Sequence, residues 1–319
     1  MDTPKKAIKT QVYSHKPYHE ISLFAFQEEF SDEQSCFNYL IKMRWPEGFH
    51  CPYCNKDRYC FKPSKKVFEC YHCNKQTSVT SGTIFHRSKV PLRKWFWAIF
   101  LMSTNKKGVS MLYLQKQLNM PHYRTIWKMG HKIRQAMTQR DGMYSLKGTV
   151  EADEIFIGGK QSMKTFLEEG SNKTPFLISV EEGKKASPRF VSFEELETVY
   201  EEHVLPALQK KVDKGSTIKS DGAGAYVKAK KKGYKHNRSV YQKEPEKTAE
   251  HLKWVNMLTS NLKRFLISTY HGVQPKYRKA YLAEFAYRFN RRYWPHQAFD
   301  RLLYACLNAT PIPPRDLNA

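Results

Sequence analysis

Thr149-Val-Glu-Ala-Asp-Glu-Ile-Phe-Ile157 is the stretch on which the reading of this chain turns. Its apolar and β-branched residues predict a strand over 149–157, and side chains on a strand alternate between faces. Glu151 and Asp153 therefore share one face, with Ala152 and Glu154 on the other. A carboxylate in the middle of an apolar strand is costly to bury unless something positive pairs with it, and a bound cation would serve. Two more segments offer oxygen donors. Asp221 follows the short strand Thr217-Ile-Lys-Ser220 and precedes Gly222-Ala-Gly224, which places its carboxylate where a turn leaves the sheet edge. The run from Thr248 to Ser268 has Leu252, Val255, Leu258, Leu262, Phe265 and Leu266 near one stripe and reads as a helix. Asn256 and Lys263 on it lie seven residues apart, about two turns or ~10 Å, and face the same way. Glu250 and Asn261 are the alternatives to Asn256 as a third oxygen donor. The separations are 68 residues (221 − 153) and 35 residues (256 − 221). A sheet followed by a helix can fold them together around a hard divalent cation.

The rest of the chain supplies the setting. Its 319 residues exceed one ordinary core and predict several domains. With 54 Lys+Arg against 30 Asp+Glu the formal charge is +24, a field that attracts a polyanion and makes nucleic acid the expected partner. No apolar run approaches the ~20 residues a spanning helix needs. Residues 1–20 have no secretory apolar centre, so no membrane partner and a cytoplasmic protein are expected. Strands at 149–157, 175–180, 189–193 and 216–220, a helix over 193–211 and a further strand near 237–242 predict a mixed sheet with helices against it. An RNase H-like core fits that order.

Seven cysteines include Cys51-Pro-Tyr-Cys54 and Cys70-Tyr-His-Cys73. Two such knuckles complete a four-thiolate shell for a structural zinc, with a short hairpin between them, and leave no position open for water. Three helical patterns follow up to residue 140. Asn119-Met-Pro121 turns between the last two, as a helix-turn-helix requires. The third carries Arg124, Lys128, Lys132 and Arg134, assigned here to a DNA-facing surface.

Together these segments resemble a known family, the DDE-type bacterial insertion-sequence transposases with an N-terminal zinc ribbon, the ISXO2-like group. The likeness runs from about Phe26 to Leu303. It rests on Arg44-Trp-Pro-Glu-Gly-Phe-His-Cys-Pro-Tyr-Cys54, Thr80-Ser-Gly-Thr-Ile-Phe-His86, Pro91-Leu-Arg-Lys-Trp95, Glu151-Ala-Asp-Glu154 through Gly158-Gly-Lys160, Ser220-Asp-Gly222, Asn261-Leu-Lys-Arg264, Thr269-Tyr-His-Gly272 and Glu284-Phe-Ala-Tyr-Arg-Phe-Asn-Arg-Arg292. The resemblance implies that Asp153 and Asp221 are the metal-binding aspartates of an RNase H-like core. It puts Asn256 at the third position and Lys263 at the fourth, the Asp-Asp-Asn-Lys variant. It implies Mg²⁺ or Mn²⁺ as catalytic ions, cleavage of phosphodiesters at the terminal inverted repeats, and joining of the freed 3′-hydroxyl to target DNA by a homo-oligomer. Arg264, Arg288, Arg291 and Arg292 become DNA contacts, and a bacterial, nucleoid-associated location follows. Two alternatives are a DNA-binding protein without catalysis, suggested by the neutral Asn256, and a nuclease that cuts without joining.

The expected organisation is α+β and multidomain. It comprises a basic arm with short helices (1–45), a zinc ribbon (46–88), a helix-turn-helix (90–140), an RNase H-like mixed α/β catalytic domain (147–305) and a tail (306–319).

Overall fold

The computed structural model describes residues 21–158, 173–183, 187–239 and 245–311. The arm expected over 1–20, the Gly159-Lys160 end of the glycine motif, positions 240–242 of the last expected strand and the tail beyond 311 lie outside them.

Helices α1 (Leu23–Glu29) and α2 (Glu33–Arg44) open the chain, and α2 starts on a reciprocal cap between Asp32 and Ser35. The ribbon holds β1 (Tyr59–Lys62), β2 (Val67–Cys70) and β3 (Gln76–Ser78) in one antiparallel sheet of order β1-β2-β3, so a third strand joins the expected hairpin after the second knuckle. Three helices follow: α3 (Leu92–Thr104), α4 (Met111–Gln117) and α5 (Tyr123–Gly142).

The larger sheet has the order β6-β5-β4-β7-β8. Its strands are β4 (Thr149–Ile157), β5 (Thr174–Gly183), β6 (Ser187–Glu195), β7 (Thr217–Ser220) and β8 (Lys235–Arg238). β4, β5 and β6 pair antiparallel, while β7 and β8 join β4 in parallel. β4 is thus central, and apolar side chains from both of its faces are covered. On one face Val150, Ala152, Leu177 and Ile218 pack with Val204 and Leu208 of α6 (Glu201–Lys211) and with Tyr226. On the other, Ile155, Ile157, Ile178 and Val180 pack with Val255, Leu258 and Leu262. Those three lie on α8 (Lys253–Tyr270), which follows the short α7 (Pro245–His251) after a break at Leu252.

The last two helices, α9 (Arg278–Asn290) and α10 (Ala298–Asn308), turn back onto the N-terminal helices. Phe299, Leu302, Leu303 and Cys306 join Phe26, Phe30, Phe96 and Ile133 in one core, with the Phe299 ring centroid 4.9 Å from that of Phe26. The boundary drawn at 305/306 therefore falls inside a buried helix. The apolar stripe of α10 continues through Cys306, which is completely buried, and helical spacing carries the element on to Asn308.

That packing also corrects the assignment of Arg134. α5 is wrapped by other helices, and Arg134 is fully buried, its Nε 2.7 Å from the equally buried Glu284 on α9. Its guanidinium lies 4.0 Å from the centroid of the Tyr281 ring, and Tyr270 Oη donates to the other Glu284 oxygen at 2.9 Å. It cannot reach DNA from there. The stripe of basic residues on α5 looked continuous because charge does not reveal which side of a helix is covered. Arg124 is exposed and Lys128 half-buried, whereas Lys132 donates to the Ile84 carbonyl at 3.3 Å.

The arginines of α9 and the turn after it are likewise engaged by protein. Arg288 donates to the Asn105 carbonyl. Arg291 pairs with Asp141 at 2.6 Å and lies over the Tyr287 ring, and Arg292 donates to the carbonyls of Pro188, Arg189 and Phe289. Between them Asn290 accepts from Val191 N–H at 2.8 Å and donates to Val191 C=O at 3.0 Å. This segment closes the otherwise open edge of β6, a task for which hydrogen-bonding side chains are suited. Of the expected DNA contacts on α8 and α9, only Arg264 is exposed, and it donates to Asn261 Oδ1 at 2.7 Å.

Candidate active site and zinc centre

The sulfur centre is built by two copies of one local fold. Cys51 N–H donates to Lys56 C=O and Asn55 N–H to Cys51 C=O, and the same pair of bonds links Cys70 with Lys75 and Asn74 with Cys70. Asn55 and Asn74 both take left-handed backbone at φ 57° and 56°, a conformation asparagine tolerates better than most residues. The repeat Cys-x-x-Cys-Asn-Lys was therefore visible in the sequence. The four Sγ atoms lie within 4.8 Å of one another, and among the described residues no other group of three or more His, Cys, Asp or Glu ligand atoms is so close. His72 N–H points to Cys70 Sγ at 3.4 Å. Four thiols in this arrangement fit a structural zinc. Freshly purified protein is expected to hold about one zinc per chain, and Cys54→Ser to lose it and expose residues 46–88 to proteolysis, because metal binding supplies the folding energy of so small a unit. A zinc-free wild-type protein with an intact ribbon would contradict this.

In the larger sheet the parallel register pairs Thr149 with Thr217, Val150 with Ile218 and Glu151 with Lys219, each 68 apart. That is also the separation of Asp153 and Asp221, so carrying the register two steps further sets these residues side by side where β7 ends. Asp221 leaves the strand in a tight turn. Its Oδ1 accepts from Ala223 N–H at 2.9 Å, and Gly222 at φ +86° takes a conformation that favours glycine. Asp153 Oδ1 accepts from Glu154 N–H at 2.9 Å. Burial and then the charge of Asp221 push the Asp153 carboxyl up to about 6. Glu154, on the opposite face, accepts from Tyr226 Oη at 2.6 Å and is pushed up to about 7, again first by burial.

Raised carboxylates fix the sign of a pH effect. Against ordinary values of 3.8 and 4.5, the folded chain keeps protons between about pH 4 and pH 7 that the unfolded chain has released. Stability from these groups is therefore present below about pH 4 and is lost as pH rises through 6 to 7. In magnesium-free buffer at pH 8, Asp153→Asn is expected to melt above wild type by on the order of 1–2 kcal/mol, a few degrees, and the gap should narrow as pH falls below 6 and close only below about pH 4. Equal melting of the two proteins at pH 8 would argue against a strained charge at Asp153.

Asn256 and Lys263 occupy exposed positions on α8. The Asn256 amide nitrogen approaches Ala249 C=O at 3.5 Å. Glu250, the alternative third donor, is exposed on α7, ahead of the break at Leu252. The structure thus sets Asp153, in the middle of β4, beside Asp221, just past the end of β7, and places Asn256 and Lys263 on the helix that covers the same face of the sheet.

Glu151 is the residue that sequence reasoning left without a task. It is 1% exposed, and its Oε2 accepts from both Trp254 and Val255 N–H at 2.9 Å, while Lys219 Nζ lies 3.6 Å from Oε1. Burial pushes it up to about 7. A carboxylate in mid-strand was its only signal.

Among the described residues no helix is long and apolar enough to cross a membrane. Residues 145–290 match the ISXO2-like transposase domain, and residues 31–76 match the transposase zinc-ribbon domain. A Halobacterium salinarum protein described as an uncharacterized protein in transposable element ISH50 is 26% identical over 212 residues, spanning 62% of this chain and 70% of its own. The paired thiolate knuckles lie within the zinc-ribbon match and the two aspartates within the other, and the chain carries an ISXO2-like transposase domain behind a transposase zinc ribbon.

Proposed function

We propose that this chain is an active transposase. In this reading it binds the terminal inverted repeats of an insertion sequence, cleaves phosphodiesters at the element ends and joins the freed 3′-hydroxyl to target DNA. The observation that carries the reading is the placement of Asp153, in the middle of β4, beside Asp221, just past the end of the parallel β7, where burial and then the charge of Asp221 raise the Asp153 carboxyl. A pair of acids held together at that cost fits a divalent cation as its natural partner. The sheet order β6-β5-β4-β7-β8, with three antiparallel strands followed by two parallel ones, supports an RNase H-like core.

When bound, Mg²⁺ or Mn²⁺ would polarise the scissile phosphate and make an attacking hydroxyl or water more acidic. The residues do the rest. Asp153 in mid-β4 and Asp221 just past the end of β7 would hold the cation charge, and Asn256 would add a neutral oxygen donor that weakens metal affinity relative to a carboxylate. Lys263, two turns along α8, holds a phosphate of the bound strand. Arg124 and Lys128 at the start of α5, and Arg264 on α8, contact the DNA backbone, where cations position a duplex without reading sequence. Two element ends require two such sites, so the working species is a homo-oligomer on DNA.

A duplex bearing the inverted repeats that flank the element tests this. With Mg²⁺ or Mn²⁺ the protein should nick at the repeat ends and yield strand-transfer products on a target plasmid. Hydrolysis without joining would make it a nuclease. Specific binding with no cleavage under either metal would favour the second reading, a DNA-binding protein without catalysis, which the neutral and exposed Asn256 motivates. Asn256→Glu separates these outcomes further, because tighter metal binding in that variant places position 256 at the ion.

A further inference from the structure

We propose that Glu151 is a positioning residue that aligns the start of α8, and with it Asn256, against the strand carrying Asp153. The inference rests on the functional reading above and concerns how the site is held rather than which residues touch the ion. An α-helix leaves its first N–H groups without partners, and a side chain just before the helix usually takes them. At the start of α8 that position is Leu252, which has no capping oxygen. The acceptor comes instead from Glu151, 103 and 104 residues away along the chain, whose single Oε2 receives both the Trp254 and the Val255 N–H.

Each contact of this carboxylate ends one or two residues from a member of the proposed site. Glu151 precedes Asp153 by two on β4. Val255 precedes Asn256 by one on α8. Lys219, opposite Glu151 in the β4–β7 register and 3.6 Å from its Oε1, precedes Asp221 by two. Lys219 is also bonded to Glu182 at 2.7 Å, so the charge of Glu151 is only partly balanced. One buried group therefore ties together the three segments that bear Asp153, Asp221 and Asn256.

Stability alone does not account for an acid at this place. Buried charges are often replaced by well-packed apolar side chains at no cost. What two hydrogen bonds on one oxygen add, and apolar packing does not, is a fixed axial and rotational setting of the helix start. Metal and phosphoryl chemistry is sensitive to displacements of about 1 Å, and partners that orient metal ligands typically matter about 10–100-fold in metal affinity or activity.

The test uses the full-length zinc-loaded protein with Glu151→Gln, Glu151→Asp and Glu151→Met. Two readouts are taken, amide hydrogen exchange at Trp254 and Val255 and the Mn²⁺ concentration that half-saturates binding. Gln keeps an acceptor oxygen and should leave both within about threefold of wild type. Asp keeps the charge but retracts the acceptor by about 1.5 Å, and Met removes it. Both should speed exchange at the two amides and raise the half-saturating Mn²⁺ by roughly 10–100-fold, with the global melt still cooperative. Should Met fail to fold, the Gln and Asp pair decides. Wild-type exchange and Mn²⁺ affinity in Asp, or equal damage in Gln and Asp, would overturn the proposal. If wild type binds no Mn²⁺ that depends on Asp153, the functional reading fails and the positioning role fails with it. Exchange at the two amides then reports only whether the tether exists.

Discussion

Asp153→Asn is expected to lower cleavage of a terminal-repeat duplex by about 10³-fold or more while leaving DNA affinity and its salt dependence unchanged. The effect is electrostatic. Asp153 lies on the central strand, and the β4–β7 register carried two residues past Glu151 and Lys219 brings Asp221 beside it. Replacing its charge by an amide of the same shape removes an anionic ligand from a cation that would neutralise charge on the phosphate. Several kcal/mol of transition-state stabilisation are at stake, and each 1.4 kcal/mol is tenfold in rate. DNA binding is carried by basic residues elsewhere in a chain of net charge +24, so it should persist. The same substitution relieves the metal-free protein of a charge held against its preference, so it should stabilise the fold as it abolishes the reaction. Opposite effects on stability and activity mark a functional group better than either alone. Cleavage that survives both Asp153→Asn and Asp221→Asn would remove the assignment.

The second large effect concerns the joint between α5 and α9. Arg134→Met is expected to cost about 3–5 kcal/mol, because it leaves Glu284 charged, buried and short of its main partner. The double variant Arg134→Met, Glu284→Leu should recover most of that loss, since a buried ion pair replaced on both sides is often neutral. Urea unfolding midpoints measure both. A DNA-contacting arginine predicts a different outcome, with unchanged stability and a salt slope reduced by about one for the lost phosphate contact. A single-variant cost under about 1 kcal/mol would show that the pair does not hold the joint.

Several elements were readable from residue pattern alone. The strand expected over 149–157 is β4, Thr149–Ile157, because alternation and β-branching agree there, and the 68-residue spacing of the aspartates turns out to be the register of β4 with β7. The three helical patterns after Pro91 became α3, α4 and α5. What pattern missed was decided by distant partners. The helix expected from 193 starts at Glu201, because β6 runs on to Glu195 against β5. The single helix expected over 248–268 is two, broken at Leu252 ahead of the helix start that Glu151 caps from the other side of the domain. Arg134, Arg288, Arg291 and Arg292 read as a basic surface, since nothing local separates an arginine that meets solvent from one that meets a carboxylate or a carbonyl. A formal charge of +24 holds for the whole chain and does not locate its contacts.

The most direct measurement is anomalous scattering from a Mn²⁺-soaked crystal of the protein with repeat-end DNA. A peak is expected between the carboxylates of Asp153 and Asp221, within reach of the Asn256 side chain and lost in Asp153→Asn. Manganese bound only elsewhere, with the two carboxylates turned away from each other, would contradict it.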